Sequence, residues 1–154
     1  MNVIITGASK GIGKAIAEAF AAEGANLFLC ARNEVVLYNT VGELQAKYPA
    51  CNIKARPADL SDKATAQQFG NWCLESGVPD ILVNNAGEFI AGRICDEAEG
   101  SLEKMMAVNL YSAYHLTRTL LPKMIAEAAP AGSSRQIFNI CSIASLHAYP
   151  NGGG

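Results

Sequence analysis

The sequence predicts a doubly wound α/β domain with a parallel sheet. Three observations lead there: short apolar runs alternate with longer segments of helical periodicity, the runs are apolar throughout, and the first of them leads straight into a glycine-rich turn. Helical crossovers between strands require parallel neighbours, because a tight hairpin joins only antiparallel ones. Continuous rather than alternating apolarity is what a sheet covered by helices on both faces needs.

Taken in order, Val3 to Ile5 reads as a buried strand. The segment after it places Ile12, Ile16, Phe20 and Ala21 at helical spacing. Leu27 to Cys30 is the second strand. Asn33 is a candidate N-cap for a helix with Val36, Leu37, Val41 and Leu44 on one side, stopping before Pro49. Asn52 to Arg56 is a third, weaker strand. Ser61 is the expected cap of a helix carrying Ala64, Phe69, Trp72 and Cys73, which ends near Gly77 and Pro79. Ile81 to Val83 is the fourth strand. A long helix from about Ser101 to Ile125 follows, with an apolar stripe of Leu102, Met105 or Met106, Ala113, Leu116, Leu120 and Met124. After a polar turn at Pro130 to Ser134 comes a fifth strand, Ile137 to Ile140, apolar enough to be internal. The sequence carries no internal repeat, and the final Asn151-Gly-Gly-Gly alone is locally low in complexity.

At 154 residues, 50% hydrophobic and with net charge -2, the chain suffices for one domain (residues 1–154) with a substantial core. The near-neutral balance leaves no electrostatic footprint for nucleic acid or an anionic membrane. The five cysteines form no CxxC pair and have no histidine cluster beside them, so neither a metal site nor a redox dithiol is expected. Cys30 and Cys141 lie in apolar runs, where a free thiol behaves as a small hydrophobe. Their pattern suits a reducing cytoplasm. The opening apolar run is too short for a signal peptide, and no stretch approaches the roughly 18 apolar residues of a membrane helix.

The chemistry concentrates at Thr6-Gly7-Ala8-Ser9-Lys10-Gly11-Ile12-Gly13. A turn between a strand and a helix can bring backbone N–H groups and a positive helix end up to a pyrophosphate, and glycines leave room for that approach. An ordinary glycine-rich turn is the plain alternative. The context of strand, helix and repeated βαβ pattern favours nucleotide binding.

The spacing is Gly-x3-Gly-x-Gly, and the segment resembles the cofactor motif of the short-chain dehydrogenase/reductase family. Asp59-Leu60 after the third strand, Asn84-Asn85-Ala86-Gly87 after the fourth and Asn139-Ile140-Cys141-Ser142 at the fifth match that family in the right order, over essentially the whole chain. The resemblance implies a Rossmann-like fold that binds a nicotinamide dinucleotide. Gly7, Ser9, Lys10, Gly11, Ile12 and Gly13 would meet the cofactor at the turn. Asp59 and Leu60 would border the adenine, and Asn85, Ala86 and Gly87 would pass beneath the cofactor by their backbone. Asp59 also suits a turn or cap ahead of Ser61.

In dinucleotide folds an acid at the end of the second strand bonds the ribose 2′-OH, whereas an arginine accommodates a 2′-phosphate. Here that strand ends Leu29-Cys30-Ala31-Arg32, with no carboxylate. A guanidinium suits bidentate pairing with phosphate, and Lys10 adds a second cation on the same side. Each could be a mere solvated charge. Together they select NADP(H), as the resemblance also implies.

Asn109 falls on the apolar stripe of the long helix, where a buried amide is costly unless hydrogen-bonded and asparagine is a poor helix former. It is either a satisfied core residue or, as Val108-Asn109-Leu110 resembles, the family's active-site asparagine, which holds a water in a proton relay. Ser142 follows the fifth strand at the carboxyl edge, where open α/β sheets bind ligands. A turn former is the plain reading, and the resemblance implies a serine that hydrogen-bonds the substrate carbonyl. No Gly-x-Ser-x-Gly elbow surrounds it, so it is not a hydrolase nucleophile. His115 reads as structural, and His147 with Tyr149 as a candidate pocket wall.

The resemblance further implies a catalytic tyrosine followed four residues later by a lysine, and places that tyrosine just beyond Gly154. Tyr149 stands too near Ser142 and has Gly153, not lysine, four residues on. Five strands are therefore expected here, with C-terminal strands and helices missing and the chain part of a longer polypeptide. The expected activity is NADPH-dependent reduction of a small-molecule carbonyl, or oxidation of the alcohol, in a cytoplasmic homodimer or homotetramer. A non-catalytic NADP-binding sensor or scaffold is the alternative.

Overall fold

The computed structural model describes residues 1–127 and 134–143. Five strands, β1 (Asn2–Thr6), β2 (Asn26–Ala31), β3 (Ile53–Pro57), β4 (Ile81–Asn84) and β5 (Gln136–Asn139), form one sheet in the order β3-β2-β1-β4-β5. Every neighbouring pair is parallel. The chain steps outward from β1 through β2 to β3, then returns to the other side of β1 for β4 and β5. The order therefore reverses at β1, and a crevice opens beyond the carboxyl ends of β1 and β4.

Helices α1 (Gly11–Ala22) and α2 (Glu34–Lys47) cover one face, and α3 (Lys63–Leu74) and α5 (Ser112–Ala126) the other. Alternation along the strands divides the core. Val3 and Ile5 face Ala17, Ala21, Leu37 and Leu44, while Ile4 and Leu82 face Phe69, Cys73, Leu116 and Leu120. The α3–α5 contact is close at Gly70, where a Cβ would come within 2.9 Å of Thr119 Cγ2. Ion pairs Lys14–Glu43 and Lys47–Glu18 tie α1 to α2 across the surface.

The expected strands and helices are present, with differences that have physical reasons. Asn33 does cap α2, its Oδ1 accepting from Val36 N at 3.0 Å. The α3 cap is Asp62 rather than Ser61: Asp62 Oδ1 accepts from Thr65 N at 2.7 Å, while Ser61 is spent on Asp59. Ile12 is 62% exposed, and the inward face of α1 is instead Gly13, Ala17 and Ala21, which lets the helix lie close to the sheet. Val36 and Ala64 also face outward, and Thr40 and Ala66 take inward places. Cys141 is exposed, whereas Cys30, Cys51 and Cys73 are buried free thiols.

The predicted long helix is α4 (Ser101–Met106), a π-helical segment (Ala107–Tyr111) and α5 in succession. Its buried stripe is Ser101, Met105, Val108, Ser112, Leu116, Leu120 and Met124. In the N-terminal half this runs one residue off the expected phase, so Leu102 is exposed and Asn109 is not a core residue. Two serines hold inward positions that hydropathy assigns to apolar side chains, and Ser112 satisfies its hydroxyl on Val108 O. Strand β5 lies at the edge of the described sheet, and Phe138 is 44% exposed. Among the described residues no helix is long and apolar enough to cross a membrane.

Candidate functional site

After β1 the backbone turns at Gly7 (φ 63°) and enters α1 through Gly11 (φ 56°), both in the left-handed region that side chains disfavour. A Cβ on Gly7 would lie 3.0 Å from Ala86 Cα, and one on Gly13 only 2.4 Å from both Asn85 Nδ2 and Gly7 O. A Cβ on Gly11 would meet nothing within 4 Å. Gly7 and Gly13 thus permit close packing beneath the turn, and Gly11 leaves open space above it. No side chain caps α1 at Lys10, so its first N–H groups remain available to an anion.

The turn is fastened to the segment after β4 through Thr6. Its hydroxyl oxygen accepts from Asn85 N at 2.9 Å and Ala86 N at 2.8 Å, and Asn85 Nδ2 donates back to Thr6 O at 2.9 Å and Gly7 O at 3.2 Å. On the other side Thr40 Oγ1 donates to Ser9 O at 2.9 Å. Thr40 does not stand out in the sequence, and Thr6 stands out only as the first residue of the glycine turn, although a buried hydroxyl at a strand end directly before glycine is a readable signal. Cys30 lies below, its carbonyl accepting from Ala8 N at 3.0 Å. Burial pushes its thiol up to about 12, so it stays protonated and inert.

Above the turn is a cavity of about 430 Å³, within the range of small-molecule and cofactor sites. Ser9, Lys10 and Ile12 line it from the turn, Arg32 from the end of β2 and Asp59 and Leu60 from the end of β3. Asn85, Ala86 and Gly87 form the wall after β4, and Val108 reaches in from the π-helical segment. Asp59 has a local task too: Oδ1 accepts from Ser61 N at 3.0 Å and Ser61 Oγ at 2.7 Å, shaping the turn that presents it. A turn of glycines at an uncapped helix start, with the cations Lys10 and Arg32 and the acid Asp59 around it, fits a phosphate-bearing dinucleotide.

Besides Asp59, a second acid, Glu88, engages a lining residue of this site. Glu88 Oε2 accepts from Arg32 Nη1 and Oε1 from Lys104 Nζ, each at 2.8 Å. Hydrogen bonds from Lys104 first, then Arg32, hold the Glu88 carboxyl below the usual carboxylate range. Asn109 grips the backbone of the same residue, Oδ1 accepting from Glu88 N at 2.8 Å and Nδ2 donating to Glu88 O at 2.9 Å. The amide that sequence reasoning placed in the core is thus exposed and satisfied by a neighbouring loop. It belongs to a π-helical turn, a local departure common at functional sites.

Ser142 lies just past β5, exposed at the carboxyl edge of the sheet. That edge is pinned by Asn84, whose Nδ2 donates to Asn139 Oδ1 at 2.9 Å and to Thr117 Oγ1 at 3.1 Å. Neither Ser142 nor Asn109 lines the cavity over the glycine turn. His147 and Tyr149 fall outside the described residues. Among the described residues no cluster of His, Cys, Asp or Glu could hold a metal ion.

The family model for short chain dehydrogenase matches residues 1–153. The chain belongs to this family. It is 36% identical over 146 residues to the rhamnolipids biosynthesis 3-oxoacyl-[acyl-carrier-protein] reductase of Pseudomonas aeruginosa, covering 94% of this chain and 56% of that protein. Among solved structures it resembles Pseudomonas aeruginosa RhlG in an active-site complex with NADP, with 33% identity and a TM-score of 0.87 over 99% of this chain and 58% of that one. A short-chain dehydrogenase/reductase from Burkholderia phymatum in complex with NAD gives 31% identity and a TM-score of 0.88, over 99% of this chain and 52% of that one. The chain spans little more than half the length of these relatives. The doubly wound fold read from the sequence is the fold of the family.

Proposed function

We propose that this chain carries the cofactor site of an NADPH-dependent carbonyl reductase or alcohol dehydrogenase, acting between a ketone and a secondary alcohol. The observation that carries the reading is Arg32, which lines the cleft at the end of β2, where a carboxylate would otherwise hold a ribose 2′-OH. Lys10 borders the same cleft from the turn. The relatives solved with NADP and with NAD support a nicotinamide dinucleotide, and the guanidinium supports the phosphorylated form.

When bound, the cofactor supplies hydride to a carbonyl carbon. In this reading the N–H groups at the start of α1 and the backbone of Gly7 and Gly11 receive the pyrophosphate. Arg32 and Lys10 take the 2′-phosphate, and Asp59 and Leu60 border the adenine. Asn85, Ala86 and Gly87 form the floor, Ile12 the lip, and Gly13 the close contact beneath. The Ser142 hydroxyl donates to the substrate carbonyl oxygen at the carboxyl edge of β5. Asn109 keeps one amide hydrogen and one Oδ1 lone pair beyond its bonds to Glu88, enough to hold a relay water on the proton path. The exposed outer face of α5 fits self-association as a homodimer or homotetramer, and the buried free thiols fit the cytoplasm.

Arg32→Ala tests the reading. The loss of a charge-assisted pair should weaken NADPH binding by roughly tenfold to a hundredfold while NADH binding changes little. Titration of both cofactors by fluorescence on the full-length protein measures this, and equal losses for the two would refute it.

A further inference from the structure

The acid that engages Arg32 has a consequence for cofactor choice, and it rests on the NADPH reading above. Strands β2 and β4 are the two neighbours of β1, and the glycine turn sits at the end of β1 between them. Arg32 follows β2 and Glu88 follows β4, so their 2.8 Å ion pair reaches across the end of β1 from one wall of the cleft to the other.

Glu88 is held from every side. Both carboxylate oxygens are engaged by cations, and both its backbone N–H and its carbonyl are engaged by Asn109. Its side chain is 20% exposed, whereas Arg32 is 50% exposed. The carboxylate is therefore the fixed partner and the guanidinium the one free to move. Glu88 holds Arg32 through Nη1 alone. A 2′-phosphate that pairs with the Nη1–Nη2 edge of the guanidinium therefore competes with Glu88 for Nη1, and a ribose 2′-OH carries no charge with which to compete. Lys104 remains with Glu88 when Arg32 leaves, so the vacated carboxylate keeps a counter-charge.

We propose that Glu88 is a specificity-determining residue. It is an internal anion that positions Arg32 across the cleft and is exchanged for the cofactor's 2′-phosphate. It thereby limits how strongly the protein prefers the phosphorylated cofactor.

The test compares 2′,5′-ADP with 5′-AMP by calorimetry on the full-length protein, because the ratio of their dissociation constants isolates the 2′-phosphate. Glu88→Gln keeps the backbone bonds to Asn109 and removes the competing charge. The preference for 2′,5′-ADP should rise roughly three- to fivefold, the scale of a partly exposed ion pair. In an Arg32→Ala background the same substitution should leave the ratio unmoved, since the two residues act through one contact. Lys104→Met should lower the ratio, because Glu88 then has Arg32 alone. An unchanged or reduced preference in Glu88→Gln overturns the proposal, as does an equal gain in the Arg32→Ala background. If Arg32→Ala itself leaves the ratio of the wild-type protein unmoved, the NADPH reading fails and this inference with it. A loss in Arg32→Ala with no response to Glu88→Gln removes the exchange alone.

Discussion

A methyl group at Gly13 would sit 2.4 Å from the amide nitrogen of Asn85 and equally close to the carbonyl oxygen of Gly7. The first belongs to a side chain already fixed by two hydrogen bonds to Thr6 O and Gly7 O, and the second to the backbone of the turn. Neither can yield without displacing the other wall of the cleft. Gly13→Ala should therefore lower stability by about 1–3 kcal/mol, the scale of core overpacking, and should also cost affinity for 5′-AMP. Gly11→Ala meets no atom and strains only its own positive φ, so its loss in urea unfolding should be smaller, near 1 kcal/mol. Equal unfolding midpoints for the two variants would contradict this division of labour. Both glycines were legible in sequence, because a strand, a turn and a helix in close succession fix their surroundings locally. Glu88 was not: its partner Arg32 is 56 positions away, and only the strand order brings them together.

At the level of elements, helix starts show what a local pattern can and cannot decide. Asn33 and Asp62 both accept from the backbone three residues on, at 3.0 and 2.7 Å. Asp62 was missed because Ser61 beside it is an equally good cap by type, and the choice turned on Asp59 taking the Ser61 hydroxyl. The Asp62 cap titrates. Hydrogen bonds from Thr65 N, then from the Thr65 hydroxyl, hold its carboxyl below the ordinary value of 3.8. A depressed folded value means that the stabilisation is complete above the unfolded value and is lost as pH falls through the folded one. The stability margin of the wild type over Asp62→Asn, followed by chemical unfolding, should be constant near neutral pH and shrink on acidification below about pH 4. A margin that grows in acid would reverse the assignment. The α4–α5 stretch was legible as helix, and in phase from Leu116 onward, but one residue off before it, since Ser101 and Ser112 point inward where hydropathy expects apolar residues. That phase shift turns Asn109 out of the core, where its amide bonds the backbone of Glu88.

For the molecule as a whole, helix α5 and the π-helical turn before it carry apolar side chains on two sides. Leu116, Leu120 and Met124 face the sheet, whereas Tyr111, Tyr114, Leu121 and Ile125 point outward, with Ile125 73% exposed. Single exposed apolar residues need no explanation, but these recur at helical spacing and form a stripe. Arg118 bridges the gap, its Nη1 donating to Tyr114 Oη at 3.0 Å and its guanidinium lying 6.0 Å from that ring, so its hydrocarbon stem extends the apolar surface. A helix presenting one self-complementary stripe suits a two-fold contact, in which the same patch from each copy meets itself. The self-association proposed above should therefore run through this face. Replacing both Tyr114 and Ile125 by glutamate puts like charges opposite one another across such an axis, and sedimentation of the full-length protein should then show a smaller species than the wild type. Neither residue lines the cleft, so the affinity for 2′,5′-ADP should be retained. A wild-type protein that sediments as a monomer removes the proposal. An oligomer indifferent to both charges would place its interface on a different face.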